Sequence, residues 1–130
     1  MEVAVSQLEG KVPVTVLRIK GDLSDETVLI AEAKKVYENG ARHLLLDLTD
    51  VPYISSGGLR GLHAVWMLFR EDTSEAGNQA IKQGISKGTY QSRHFKLVNP
   101  SKNALKALTV SGYDMFLEVH KHVKDAVQSF

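Results

Sequence analysis

Leu44-Leu-Leu-Asp47-Leu-Thr-Asp-Val-Pro-Tyr-Ile54-Ser55-Ser56-Gly57-Gly58-Leu59 runs an apolar strand into a corner of small residues and straight on into an apolar-striped helix. The aliphatic run from His43 to Leu48 reads as a strand buried on both faces, and therefore as a central parallel one. After the corner, Leu59, Leu62, Val65, Trp66 and Phe69 recur at helical spacing, so one stripe of that helix faces a core. Trp66 and Phe69 are read as core on the same ground. Small residues at such a corner let a partner or an anion approach the backbone, next to the unpaired N–H groups of the helix start.

Upstream, Glu2 to Leu8 and Val12 to Ile19 flank Glu9-Gly10-Lys11 and read as an antiparallel hairpin. Gly21-Asp22-Leu23-Ser24 breaks the second strand. Ser24 then stands before an acidic first turn at Asp25 and Glu26, as a helix start. Leu29, Ala33, Val36 and Tyr37 supply that helix's apolar face until Asn39-Gly40 ends it. Downstream, Phe95 to Val98 reads as a strand. Asn99-Pro100-Ser101 begins a helix that Ser111-Gly112 ends, Met115 to Val119 reads as the last strand, and Val123, Ala126, Val127 and Phe130 mark a terminal amphipathic helix. The order ββαβαβαβα predicts an α/β fold: one mixed sheet with helices packed against it through right-handed crossovers.

The chain of 130 residues is expected to form a single domain over 1–130, with a flexible insertion at 71–91 rich in Gly, Ser, Thr, Gln and Lys. One helical turn is expected near Gln79 to Gln83. With 16 Lys+Arg against 15 Asp+Glu, no basic surface for nucleic acid or an anionic membrane is expected. Lys82, Lys87, Arg93 and Lys96 read as a scattered, solvated set. The absence of cysteine removes disulfides, thiol nucleophiles and cysteine-held metals. MEVAVSQLEG has neither a basic n-region nor an apolar run, and no segment approaches the ~18–20 apolar residues of a membrane span, so a cytoplasmic location is expected.

Enzymatic chemistry finds little support. Ile54 occupies the glycine position of a Gly-x-Ser-x-Gly nucleophile turn, and Gly57-Gly58-x-x-Gly61 lacks the lysine and hydroxyl of a phosphate loop. Gly61 instead is expected to let its helix approach the sheet. His120-Lys-His122 lacks a third ligand at metal spacing. The reading is therefore no enzyme, no metal and no cofactor.

From Asp47-Leu-Thr-Asp-Val-Pro-Tyr-Ile-Ser-Ser-Gly-Gly-Leu, together with Gly21-Asp-Leu and Leu97-Val-Asn-Pro-Ser, the chain resembles the STAS family, of the bacterial anti-sigma factor antagonist type. The resemblance spans nearly everything outside 71–91. It implies partner switching: the antagonist binds an anti-sigma factor that is also a serine kinase of the histidine-kinase-like ATPase fold, phosphorylation at the corner abolishes binding, and a metal-dependent phosphatase restores it. The family corner, Asp-Ser-Ser-Gly-Leu, places its aspartate on Ser55, its first serine on Ser56 and its acceptor serine on Gly57, with Gly58 and Leu59 following. The acceptor side chain is missing, which leaves Ser56 and then Ser55 as candidate phosphosites; either also suits a helix cap. Thr73, Ser74, Ser86 and Thr89 are further hydroxyls on the insertion. The expected partner surface comprises Asp22, Ser24, Asp25, Ser55, Ser56, Gly57, Gly58, Leu59, Arg60 and His63, with Arg60 and His63 one helical turn apart. A monomer or weak homodimer is expected. The alternatives are a scaffold subunit of a signalling complex or lipid-transport ATPase, and a nucleotide or small-anion binding domain using the corner's helix start.

Overall fold

A computed structural model describes residues 1–70 and 92–130. Strand β1 (Glu2–Glu9) and strand β2 (Pro13–Lys20) form the antiparallel hairpin, and helix α1 (Glu26–Glu38) leads to strand β3 (Leu44–Asp50). Helix α2 (Ser56–Phe69) follows the corner. Strand β4 (Phe95–Val98), helix α3 (Lys102–Ser111), a 3-10 turn at Tyr113–Met115, strand β5 (Val119–His120) and helix α4 (Val123–Ser129) complete the chain. The sheet order is β1-β2-β3-β4-β5, with β2 through β5 parallel. This is the expected α/β order with a single mixed sheet.

Each parallel strand is added on the same side of the one before it, so right-handed crossovers place α1, α2 and α3 on one face. There Leu17, Ile19, Leu44, Leu46, Leu48, Phe95 and Leu97 meet Leu29, Leu62, Trp66, Phe69 and Leu108 in the main core. Trp66 and Phe69 are buried as expected, Trp66 stacking edge-on with Phe116 at 5.2 Å and Phe69 with Tyr37 at 5.3 Å. The opposite face is smaller: Val14, Val16, Leu45 and Val98 pack against Ala126 and Val127 of α4.

Several local expectations are corrected. The last strand is Val119–His120 rather than Met115 to Val119, because Gly112 ends α3 in a left-handed conformation (φ 80°) and the chain turns through Tyr113–Met115 before Phe116 and Leu117 enter the core. The central strand extends past Leu48 to Asp50, which pairs with Lys20. Helix α1 is capped by Asp25, whose carboxylate accepts the Val28 N–H at 3.2 Å, and not by Ser24. Gly61 faces α1 rather than the sheet: a Cβ there would lie 3.0 Å from Leu29 Cδ2 and 3.3 Å from Glu26 Cα. Lys96, grouped with solvated charges, is only 4% exposed. It sits on the interior strand β4, in register with Leu45 on the face that α4 covers. Arg93 is exposed, whereas Lys82, Lys87, Thr73, Ser74, Ser86, Thr89, the turn near Gln79 and the insertion itself lie outside the described residues.

Candidate functional site

The corner is built by a short parallel bridge. Leu23 pairs with Ile54; the Leu23 N–H donates to the Tyr53 carbonyl at 2.9 Å, and the Ser55 N–H returns to the Leu23 carbonyl at 3.0 Å. Two loops distant in sequence, one leaving β2 and one leaving β3, are thereby joined into one surface. The Gly21–Asp25 loop and the Ser55–Leu59 corner, both expected at the partner surface, are brought together by this bridge.

Ser55 is the N-cap of α2. Its Oγ accepts the Gly58 N–H at 3.2 Å and donates to the Leu23 carbonyl at 3.4 Å, so the hydroxyl is committed to structure. Ser56 is the first residue of the helix and is exposed. Gly57 and Gly58 are buried against the other loop. A Cβ on Gly57 would stand 2.7 Å from the Ser24 carbonyl oxygen, and one on Gly58 would collide with the Leu23 carbonyl. No side chain larger than hydrogen fits either position unless the Leu23-Ser24 backbone moves. The two glycines therefore shape the surface without presenting anything from it, and Leu59 is half buried against the core.

What does face outward is a polar set. Asp22, Ser24 and Asp25 lie on the loop, with Ser56, Arg60 and His63 along α2. Arg60 Nε is 3.4 Å from Glu26 Oε2, and both side chains are largely solvated, so this pair holds the guanidinium loosely. Arg60 also folds back toward the helix start, its Nη2 lying 3.5 Å from where a Gly57 Cβ would be. The His63 ring tilts over Trp66 with centroids 5.4 Å apart.

Two members of this surface were not named from the sequence, although Met67 lies on the exposed side of the helix that was expected to contribute. Tyr53 is 53% exposed just before the corner, and Met67 is 41% exposed on the same helical face as Arg60 and His63. Their signal was present: Met67 follows His63 by one turn, and Tyr53 precedes the inward-facing Ile54. Large apolar side chains left in water beside a polar set are the usual composition of a contact surface.

The remaining candidates fall elsewhere. β5 stops at His120 and His122 precedes α4, so the strand that would have aligned their imidazoles does not continue. Among the described residues no cluster of three or more His, Asp or Glu is placed to hold a metal ion. A cavity of about 540 Å³ lies between α3 and β5, lined among others by Asn99, Leu105, Leu117, Val119 and Lys121, and shares no residue with the corner. No described helix is long and apolar enough to cross a membrane.

No family sequence model matches the chain, and no curated protein sequence matches it. Solved structures do. The chain is similar to an anti-sigma factor antagonist from Mycobacterium paratuberculosis, with TM-score 0.72 and 18% identity over 98% of this chain and 92% of the other. It is also similar to a putative anti-sigma factor antagonist from Thermotoga maritima, with TM-score 0.64 and 18% identity over 97% of this chain and 92% of that one. The parallel addition of strands β2 to β5 onto an N-terminal hairpin, with its serine-glycine corner at the start of α2, is thus the STAS-type fold of the anti-sigma factor antagonist structures.

Proposed function

We propose that this chain is a non-catalytic regulatory module, an anti-sigma factor antagonist that binds a cytoplasmic anti-sigma factor of the histidine-kinase-like ATPase fold. The observation that carries this reading is the Leu23–Ile54 bridge, which assembles Ser24, Asp25, Ser56, Arg60 and His63 into one exposed polar surface flanked by Tyr53 and Met67. The two solved neighbours support it through their fold. Control by phosphate falls to Ser56. Gly57 has no hydroxyl and Ser55 spends its own on the cap, whereas Ser56 is exposed at the first residue of α2. A phosphoryl group there adds about −1.5 to −2 charges to a surface that must be desolvated for binding.

The test is a titration of the purified protein against the anti-sigma factors encoded in the same genome. Wild type binds one of them, and Ser56→Glu and Arg60→Glu each weaken binding tenfold or more while leaving the fold intact. Gly57→Glu is unsuitable because it would push the Ser24 backbone aside. No binding to any anti-sigma factor, or binding indifferent to both variants, sinks the proposal. A permanent complex with a transport ATPase would favour the scaffold reading, and thermal stabilisation by a nucleoside phosphate the ligand-binding one.

A further inference from the structure

With α1, α2 and α3 all on one side, among the described residues α4 alone covers the apolar row Val14, Val16, Leu45 and Val98. A helix of 7 residues has little stability of its own, since isolated helices shorter than ~12–15 residues are marginal in water. Its retention rests on side-chain contacts, and these are concentrated at its C-terminal end. Lys96 Nζ donates to the Ser129 carbonyl at 2.9 Å and to Ser129 Oγ at 3.0 Å, and pairs with Glu118 at 2.6 Å. The ammonium thus sits at the negative end of the α4 dipole. Phe130 closes the cluster: its ring centroid is 4.8 Å from Lys96 Nζ and 5.8 Å from the His43 ring.

His43 in turn faces His94, with Nδ1 3.1 Å from Nδ1. At that separation one ring nitrogen must carry a hydrogen and the other must accept it. The contact therefore tolerates one imidazolium at most. A second proton would set two N–H groups against each other, with Lys96 close by and Phe130 packed on the His43 ring. Burial first, then His94 and Lys96, already hold His43 below its ordinary pKa.

We propose that α4 is a latch opened by double protonation of the His43–His94 pair, so that acid uncovers the Val14, Val16, Leu45 and Val98 face while the three-helix face stays packed. The charge that reaches His43 agrees in sign: His94, just before β4, and Lys96 on it, whereas the Arg42 guanidinium is turned away onto the Tyr37 ring and the Tyr37 and Ala41 carbonyls. The carboxylate of the cluster, Glu118 beside β5, is engaged by Lys96 and lies 3.5 Å from His120 rather than at the pair. α4 contributes Ser129, with Phe130 beyond it. His120 Nε2 also lies 3.3 Å from Ser129 Oγ, so a His120 variant separates that contact with α4 from the histidine pair.

The experiment is hydrogen exchange at the amides of residues 126–129 between pH 7.5 and 5.0, with the amides of β3 and α2 reporting the sheet and its opposite face. The expected result is a fall of tenfold or more in α4 protection factors on acidification, with protection of the β3 and α2 amides unchanged. His43→Phe keeps α4 protected throughout, whereas His120→Gln leaves the acid response in place. If His43→Phe fails to fold, His94→Gln serves with the same expectation. Protection that is flat with pH in wild type, that is lost together with the β3 amides, or that remains pH-dependent in the His43 and His94 variants overturns the proposal.

Discussion

The carbonyl oxygen of Ser24 stands 2.7 Å from where a Cβ on Gly57 would lie, so the loop after β2 and the start of α2 touch backbone to backbone. Gly57→Ala should destabilise the fold by about 1–3 kcal/mol, the usual cost of forcing extra volume into a packed contact. Gly58→Ala should cost more, since its Cβ would overlap the Leu23 carbonyl. Denaturant titration of both variants checks the order. A Gly57→Ala midpoint at or above wild type would mean that the loop yields freely.

The two corner serines should separate cleanly. Ser55→Ala loses the α2 cap at Gly58 and is expected to cost about 0.5–2 kcal/mol. Ser56→Ala, exposed and one residue further on, should stay within ~0.5 kcal/mol of wild type. Equal effects would contradict the assignment of Ser55 as the cap.

Arg60→Ala tests whether the outer face of α2 serves stability or contact. Its ion pair with Glu26 spans 3.4 Å with side chains 63% and 41% exposed, so removing it should change stability by less than ~1 kcal/mol. Binding to the proposed anti-sigma factor partner should nonetheless fall. Thermal unfolding measured beside affinity distinguishes the two, and a large loss of stability would reassign Arg60 to the fold.

Lys96→Met removes a buried cation with three acceptors. The expected loss is about 1.5–3 kcal/mol, the range for hydrogen bonds to charged groups. It should fall short of the ~3–5 kcal/mol of a fully buried broken pair, because the Glu118 side chain is 36% exposed even though the oxygen facing Lys96 is buried. A Lys96→Met protein as stable as wild type in urea would show that packing of α4 does not depend on the ammonium.

Acid and alkali should each weaken the fold through an identified group. His43 is held below 6.5 by burial, His94 and Lys96, so the unfolded chain takes up its proton first as pH falls. The contribution of neutral His43 is complete above pH 6.5 and is lost as pH drops through the lowered value. Tyr113 is raised above 10.0 by burial, so its contribution is complete below pH 10.0 and is lost above it. Stability measured against pH should show the acid limb flattened in His43→Phe and the alkaline limb reduced in Tyr113→Phe.

The elements were legible where one apolar period dominates, as in Leu44 to Leu48 or along Leu62, Val65, Trp66 and Phe69. They were not where two elements accept the same pattern. Met115, Phe116, Leu117 and Val119 read equally as a strand or as a turn diving into the core, and only the left-handed Gly112 decides between them. Ser24 and Asp25 are both good caps; the choice falls to Asp25, while the Ser24 carbonyl lies against Gly57, a contact made 33 residues away in sequence. The corner and its loop could be named in advance because the resemblance pairs them. Tyr53 and Met67 were passed over, since residue type alone does not tell an exposed large side chain from a buried one and their signal lay only in position, beside Ile54 and one turn after His63. The His43–His94 contact lies deeper still: its members are 51 residues apart and meet through the parallel register that sets Leu44 opposite Phe95.

The uninterrupted strand order has a consequence for how the molecule is made. Every strand after the first pairs with the one synthesised just before it, so a chain leaving the ribosome never has to insert a late strand between two early ones. The hairpin, α1 and β3 can associate as they emerge, and the two loops that form the corner are both present once Ile54 has been added. The sheet face under α4 is then the last surface to be closed. Until Val123 and the residues after it are added, the described residues leave Val14, Val16, Leu45 and Val98 uncovered beside a finished corner, an apolar strip open to association with other chains.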